Sequence, residues 1–325
     1  MLNMFRSKQR MMAAVAAIGA TCFLGACAQS NASFKQDIVA EIEEAITTAR
    51  ATTGPGRPPL WQMSDDDTVI HMFGSVHLLK PETVWRYPEL DAAFEASDRV
   101  VFETYDVEPD GTDEFSKLIL RHGFFSDGTK LTDLLNAKEE AIIRDGFKSI
   151  NLSLEGLNGL APWNATLSAV VTLALQEGYD PELGVDIIFE QAAEAMGKRL
   201  LYLETPRDQF EALSAGSQRD QLDALVYTAA SMEVSPKFLD VMISEWAEGD
   251  MVGQAAIDAA GDEYASSEML DALLLNRNEK WVPQIIEMLE EPGEVFIVVG
   301  AAHLSGDDSV IALLREQGFE VNGPL

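Results

Sequence analysis

Histidine and cysteine are scarce in this chain: four and two residues among 325. Both cysteines, Cys22 and Cys27, lie near the N-terminus. The body of the chain therefore has no disulfide framework, and a sizeable hydrophobic core must hold it together. With Cys22 removed in a signal segment and Cys27 acylated, neither a cysteine nucleophile nor a thiolate metal site is available. Basic residues are few as well. Lys+Arg number 23 against 54 Asp+Glu, a formal net charge of −31, which repels phosphate backbones and excludes sequence-independent nucleic-acid binding. The acidic excess fits solubility, a cationic partner or cation recruitment equally well. The apolar run Met11 to Phe23 is too short to span a bilayer as a retained helix. What is abundant is hydrophobic residues, 47% of the chain, enough for one large globular domain or two ordinary ones.

The N-terminus has the order of an export signal. Arg6, Lys8 and Arg10 are followed by the apolar Met11 to Phe23 and by Leu24-Gly25-Ala26-Cys27. That tetrapeptide resembles a bacterial lipobox, with lipidation expected on Cys27. Ala26-Cys27-Ala28 also fits ordinary cleavage after Ala28. The expected location is the periplasmic side of the cell envelope, lipid-anchored, with Ala28 favouring the outer membrane. The domain reading is a signal over 1–26, an N-terminal helix and linker over 27–57, and a main domain over 58–325 with a helical insertion at about 112–291.

The hydrophobic period predicts a helix from Phe34 to Arg50, then a Gly-Pro-Gly-Arg-Pro-Pro linker over 54–59 that no helix can cross. Strands are expected at Leu60 to Met63 and Thr68 to Phe73 around an acidic turn, and from Arg99 to Tyr105 after a helix over Glu89 to Ser97. Most of the next two hundred residues read as helical, including Leu131 to Phe147, Leu160 to Gln176 and Val185 to Met196, interrupted by a short apolar run from Arg199 to Leu203. A strand at Val295 to Val299, a helix at Ser309 to Gln317 and an edge strand at Phe319 to Val321 close the chain. The fold expected is α/β (α+β), with a mixed central sheet built from the N- and C-terminal parts and a large helical insertion.

One local pattern occurs twice. Thr68 to Leu78 and Glu294 to Leu304 each read as a strand, a glycine, two small or β-branched residues, a histidine and a leucine: Gly74-Ser75-Val76-His77-Leu78 and Gly300-Ala301-Ala302-His303-Leu304. A strand ending in glycine permits a close backbone approach, and ligands of open α/β sheets collect at the carboxyl edge of the strands. Side by side, the two ends would bring His77 and His303 together. Glu103, at the end of the strand Val100-Val101-Phe102, puts a carboxylate at the same edge, where it needs a partner or a cation. Two imidazoles and one carboxylate are a ligand set for a divalent metal that activates water; alternatively Glu103 activates the water without touching metal. His71 is expected to pack within its strand, and His122 to sit at a helix C-terminus.

These stretches, taken with Leu60-Trp61, the helix over 90–98, Gly184-Val185-Asp186, Leu203-Glu204-Thr205, Gln209, Gly249-Asp250, Arg277-Asn278 and Trp281, resemble the TraB/GumN family, related to the Tiki metalloproteases. The resemblance runs over roughly residues 58 to 325 in order. It implies a fold like that of the erythromycin-esterase and ChaN group, and metal-dependent cleavage of peptide or protein substrates with His77, His303 and Glu103 as metal ligands and catalytic groups. Arg277 and Asn278 would bind or orient the substrate, while Asp186 and Glu204 are expected to be structural. The cofactor implied is a divalent ion, Mn, Co or Zn. Two other readings stand beside it: a non-catalytic periplasmic lipoprotein that binds haem, metal or a peptide signal, and a metal-free esterase using a histidine general base.

Overall fold

The computed structural model describes residues 31–105, 113–262 and 266–325. The export signal and Cys27 lie outside the described residues. Among the described residues no helix is long and apolar enough to cross a membrane.

Six strands form one mixed sheet: β1 (Leu60–Ser64), β2 (Thr68–Ser75), β3 (Arg99–Phe102), β4 (Arg199–Tyr202), β5 (Gly293–Gly300) and β6 (Val321–Asn322), in the spatial order β4-β3-β5-β2-β1-β6. The four strands β4, β3, β5 and β2 are parallel to their neighbours, so their carboxyl ends share one edge. β1 runs antiparallel to β2 and to β6. Side-chain alternation with period two divides the core. Phe73, Val100, Phe102, Phe296 and Val298 face one cluster, with Phe94 and Phe189 from the helices Pro88–Ala96 and Val185–Met196. Ile70, Met72, Val101, Ile297 and Val299 face the other, against Trp281 and Ile285 of helix Leu275–Glu287 and Leu314 of helix Val310–Glu316. A sheet covered on both faces explains why β5 reads as a continuous apolar run.

The N-terminal helix, Asn31–Ala49, buries Ile38, Ile42, Ile46 and Ala49. That i, i+4 stripe packs it into the larger cluster rather than leaving it as a free arm.

Three expectations need correction. The helix expected over Leu131 to Phe147 is broken: Leu131–Leu134 is a short 3-10 turn, and the α-helix runs from Ala137 to Lys148. Asn136 forces the break, because its side chain accepts from the backbone N–H of Lys138 and Glu139 while Glu139 bonds back to the Asn136 N–H. The strand expected over Arg99 to Tyr105 stops at Phe102. The run from Arg199 is β4, paired in parallel with β3, so the stretch taken as a helical insertion gives the sheet an edge strand.

Candidate active site at the carboxyl edge of the sheet

β2 and β5 pair in parallel with Ser75 opposite Gly300, so the two G-x-x-H segments leave the sheet side by side. They touch closely. A Cβ on Gly74 would stand 2.9 Å from the Ala301 Cα, and one on Gly300 would stand 3.1 Å from Glu103 Oε1, 3.5 Å from His303 Cδ2 and 3.9 Å from His77 Nε2. Glycine at both positions is what lets the backbones and the three side chains converge.

Each of the other groups is aimed by its own element. β4 ends at Tyr202, and the backbone N–H groups of Leu203 and Glu204 bond to the Glu103 carbonyl at 3.1 and 2.9 Å. Thr205 then caps helix Pro206–Leu213, which fixes Glu204 in the joint between strand and helix. Helix Leu275–Glu287 buries Arg277, Asn278, Trp281, Val282 and Ile285, a helical stripe that carries the guanidinium to the sheet edge. His303 lies in the 3-10 turn Ala301–Leu304, with its ring centroid 4.4 Å from that of Trp281.

Arg277 is the centre of the cluster. Its Nε donates to Glu204 Oε2 at 2.9 Å, one terminal nitrogen donates to Glu204 Oε1 at 2.8 Å and Glu103 Oε2 at 2.6 Å, and the other donates to the Leu273 carbonyl at 3.0 Å and to His303 Nε2 at 2.9 Å. These bonds commit every N–H of the guanidinium. Because Arg277 can only donate, His303 Nε2 must accept; the proton sits on Nδ1 and goes to Asn278 Oδ1 at 2.6 Å. The Asn278 amide nitrogen is in turn held by the Asp308 carbonyl at 2.8 Å. Arg277 and Asn278, expected to meet substrate, are instead 8% and 1% exposed: with their donors and acceptors already used, they position Glu103, Glu204 and His303.

Charge states follow from this wiring. Burial alone would raise the Glu103 pKa, but Arg277, the two histidines and the Gly300 N–H, which donates to Oε1 at 2.6 Å, hold it down to about 2. The Glu204 carboxyl moves the other way, because burial, aided by repulsion from Glu103 and Asp208, outweighs the same guanidinium. Burial, followed by Arg277, lowers His303 to about 3, so it is neutral. His77 differs. Burial would lower its pKa, yet Asp186 and Glu103 raise it above 6.5.

Asp186 enters from the first turn of helix Val185–Met196, with Oδ1 3.2 Å from His77 Nδ1. The contact is an ion pair only when His77 is protonated, and its alignment falls short of a linear hydrogen bond. The two side chains are 17% and 20% exposed. The Val185 N–H donates to the Val76 carbonyl at 2.9 Å, and a Cβ on Gly184 would stand 2.6 Å from the His77 carbonyl oxygen. Gly184→Ala must therefore push the His77 backbone away; a cost of about 1–3 kcal/mol is expected, read as a lower denaturation midpoint at unchanged slope.

Asp186 and Glu204 thus belong to the cluster rather than to ordinary capping. Gly184-Val185-Asp186 and Leu203-Glu204-Thr205 were visible in sequence, but the partners that give them a role come from distant elements. His71, within β2, and His122, the last residue of helix Glu114–His122, stand where their local pattern put them.

The donors do not fit a divalent metal as arranged. Both ring nitrogens of His303 and both oxygens of Glu103 are engaged by protein donors or by Asn278, and a fixed guanidinium stands where a cation would have to approach them. Among the described residues no three His, Cys, Asp or Glu side chains are grouped so as to hold a metal ion.

Comparison with known proteins agrees with the residue pattern. The chain is 26% identical over 153 residues to the uncharacterized protein YbaP of Escherichia coli (strain K12) and, at the same identity and length, to that of Shigella flexneri. The match takes in 47% of this chain and 56% of each relative, so the chain spans about half the length of the curated relatives it matches. No solved structure matches the chain. The sequence model of the TraB/PrgY/gumN family matches residues 59–323, from the first strand to the last, and the chain belongs to that family.

Proposed function

We propose that the chain hydrolyses amide or ester bonds, with peptides as the first substrate class, and that His77 is the general base toward water. One observation carries the reading. Of His77, His303 and Glu103, His77 alone keeps a basic atom, Nε2, free of any hydrogen bond to protein among the described residues, with Asp186 against the opposite ring nitrogen. Glu103, held at about 2, is too weak a base, and the His303 lone pair is taken by Arg277.

In this reaction His77 Nε2 takes a proton from water as the water oxygen bonds to the substrate carbonyl carbon. The imidazolium formed is stabilised by Asp186 and Glu103, and its proton passes to the departing amine or alkoxide when the scissile bond breaks. Arg277 has no N–H left for the developing oxyanion; it contributes a fixed positive field and keeps Glu103 ionised.

The test uses chelator-treated chain incubated with peptide and ester libraries, with products read by mass spectrometry. Turnover that ignores the chelator and falls about 10²–10⁴-fold in His77→Ala is expected. Undiminished turnover in His77→Ala, or turnover that requires added Mn, Co or Zn together with His303, overturns the reading.

A further inference from the structure

Gly249-Asp250 plays no part in the chemistry above, yet the helix that ends there reaches the first histidine segment through one hydrogen bond: the Trp246 indole N–H donates to the Gly74 carbonyl at 2.9 Å. Strand register explains why that carbonyl needs a side-chain partner. β1 begins at Leu60, opposite Phe73, and the Leu60 carbonyl accepts from Leu325 on the far side. Hydrogen-bonded pairs alternate along an antiparallel ladder, so the next position to face β2, opposite Gly74, falls to Pro59. Proline has no N–H to give. The indole takes the place of the missing strand donor at the residue that abuts Ala301 and stands three before His77.

Trp246 is held by a segment that precedes the family match, which begins at residue 59. Between helix Asn31–Ala49 and β1, residues 50–57 cross the joint that separates helix Ser235–Glu248 from helix Met251–Asp262, and they act as a strap over it. The Gly56 N–H donates to the Glu248 carbonyl at 2.9 Å, which satisfies an acceptor at a helix end. Two glycines make the crossing possible. A Cβ on Gly54 would collide with the Glu248 carbonyl oxygen and the Asp250 nitrogen, and one on Gly249, whose φ is +69°, would collide with the Arg57 carbonyl oxygen. Gly253 lets the next helix close on the first: a Cβ there would stand 3.1 Å from the Ala49 carbonyl oxygen.

Side chains fasten the same joint. Asp250 Oδ1 accepts from the Val252 and Gly253 N–H groups at 3.0 and 2.9 Å and so caps helix Met251–Asp262. Burial would raise the Asp250 pKa, but the Gly253 N–H, the Thr52 hydroxyl of the strap and the Val252 N–H bring it below the usual value. Burial, then Asp250 and Glu248, raise the Glu245 pKa, and Arg50 of the strap opposes them. Trp246 lies between these two carboxylates in sequence and is 3% exposed, its ring centroid 6.3 Å from that of Phe73 and 6.4 Å from that of Trp85. The direction of its N–H is therefore set by a joint that the strap ties down.

We propose that Trp246 is a positioning residue for His77 and that the strap over residues 50–57 holds it in place. The strap fixes the helix joint, the joint fixes the indole, and the indole fixes the carbonyl where β2 passes into the turn that carries the imidazole. The expected change in rate rests on the hydrolytic reading of His77; the placement of its ring does not.

Two full-chain variants test it. Trp246→Phe keeps an aromatic ring and loses the N–H, while Gly54→Ala drives a methyl group between strap and joint and touches none of the site groups; Thr52→Val, which adds no bulk, replaces Gly54→Ala if that variant does not fold. The readouts are the His77 imidazole resonances, assigned with His77→Gln and recorded well below each variant's Tm, together with kcat and KM on any substrate turned over. In both variants the His77 resonances and their titration midpoint should move, and kcat should fall about 10-fold to 10²-fold with KM nearly unchanged, as expected when a reacting group is displaced rather than removed. The combined variant should do little more than the larger single one, because both changes act along one route. Moved resonances in a chain without turnover remove the hydrolytic reading and leave the positioning role standing. A lower Tm with unmoved His77 resonances in both variants makes Trp246 packing alone and overturns the proposal. So does an unchanged kcat in an active chain, or full additivity in the combined variant.

Discussion

Arg277→Ala is expected to be the most destabilising single substitution at the sheet edge, costing about 3–5 kcal/mol because it strips the shared partner from two buried carboxylates. Glu103 and Glu204 each accept from this guanidinium at 2.9 Å or less, and neither can turn out to water from beneath helix Leu275–Glu287. For a domain of this size the loss corresponds to a fall in Tm of about 6–20 °C. Adding Glu103→Gln and Glu204→Gln to the variant should recover much of it, since neutral amides carry no stranded charge. A single-variant loss below about 1 kcal/mol would mean that the cluster is solvated and the ion-pair account is wrong. The same variant tests the metal argument from the other side. With Arg277 gone, His303 Nε2 and Glu103 Oε2 are released, so histidine-dependent Co²⁺ absorption should appear in Arg277→Ala, be absent from wild type, and disappear again with His303→Ala.

Where a local pattern coincided with a simple strand pairing, the sequence was legible. The two G-x-x-H segments could be matched by eye because β2 and β5 pair in parallel with Ser75 opposite Gly300, so that the two motifs leave the sheet at the same edge, one residue out of step, and their side chains converge. Glu103 followed from the same logic one strand over. Arg277 did not. An Arg-Asn pair on a helix reads as surface or substrate-binding until the helix is laid on the sheet, and only then do Glu103, Glu204 and His303 fall within reach of one guanidinium. Asp186 and Glu204 were missed for a related reason: an acid in the first turn of a helix or just past a strand has an adequate local explanation, and locality hides the distant partner. β4 went unread because four residues between helices give too little alternation to establish a period. The Asn136 break was readable as a capping box with Glu139 three residues on, but the apolar spacing of Leu131 to Phe147 ran straight through it.

Asp186→Asn is expected to lower kcat/KM about 10²–10⁴-fold, as loss of an imidazole-orienting carboxylate does in other hydrolytic sites, and to move the pH profile in a defined direction. In the wild type His77 titrates above 6.5, despite burial, because Asp186 and Glu103 favour its charged form. The base must be neutral to act, so the rate climbs as pH rises through a pKa above 6.5. In Asp186→Asn burial is left opposed only by Glu103, the pKa drops toward or below 6.5, and the variant reaches its lower plateau at lower pH. Stability carries the opposite sign. A raised histidine pKa adds stability that is fully present below 6.5 and lost as pH rises through the folded-state value, so wild type should lose that increment over the same interval in which its activity appears. The two curves share one titrating group: Asp186→Asn should displace the kinetic limb and flatten the stability change together. An unmoved kinetic limb in that variant would assign the essential proton to a residue other than His77.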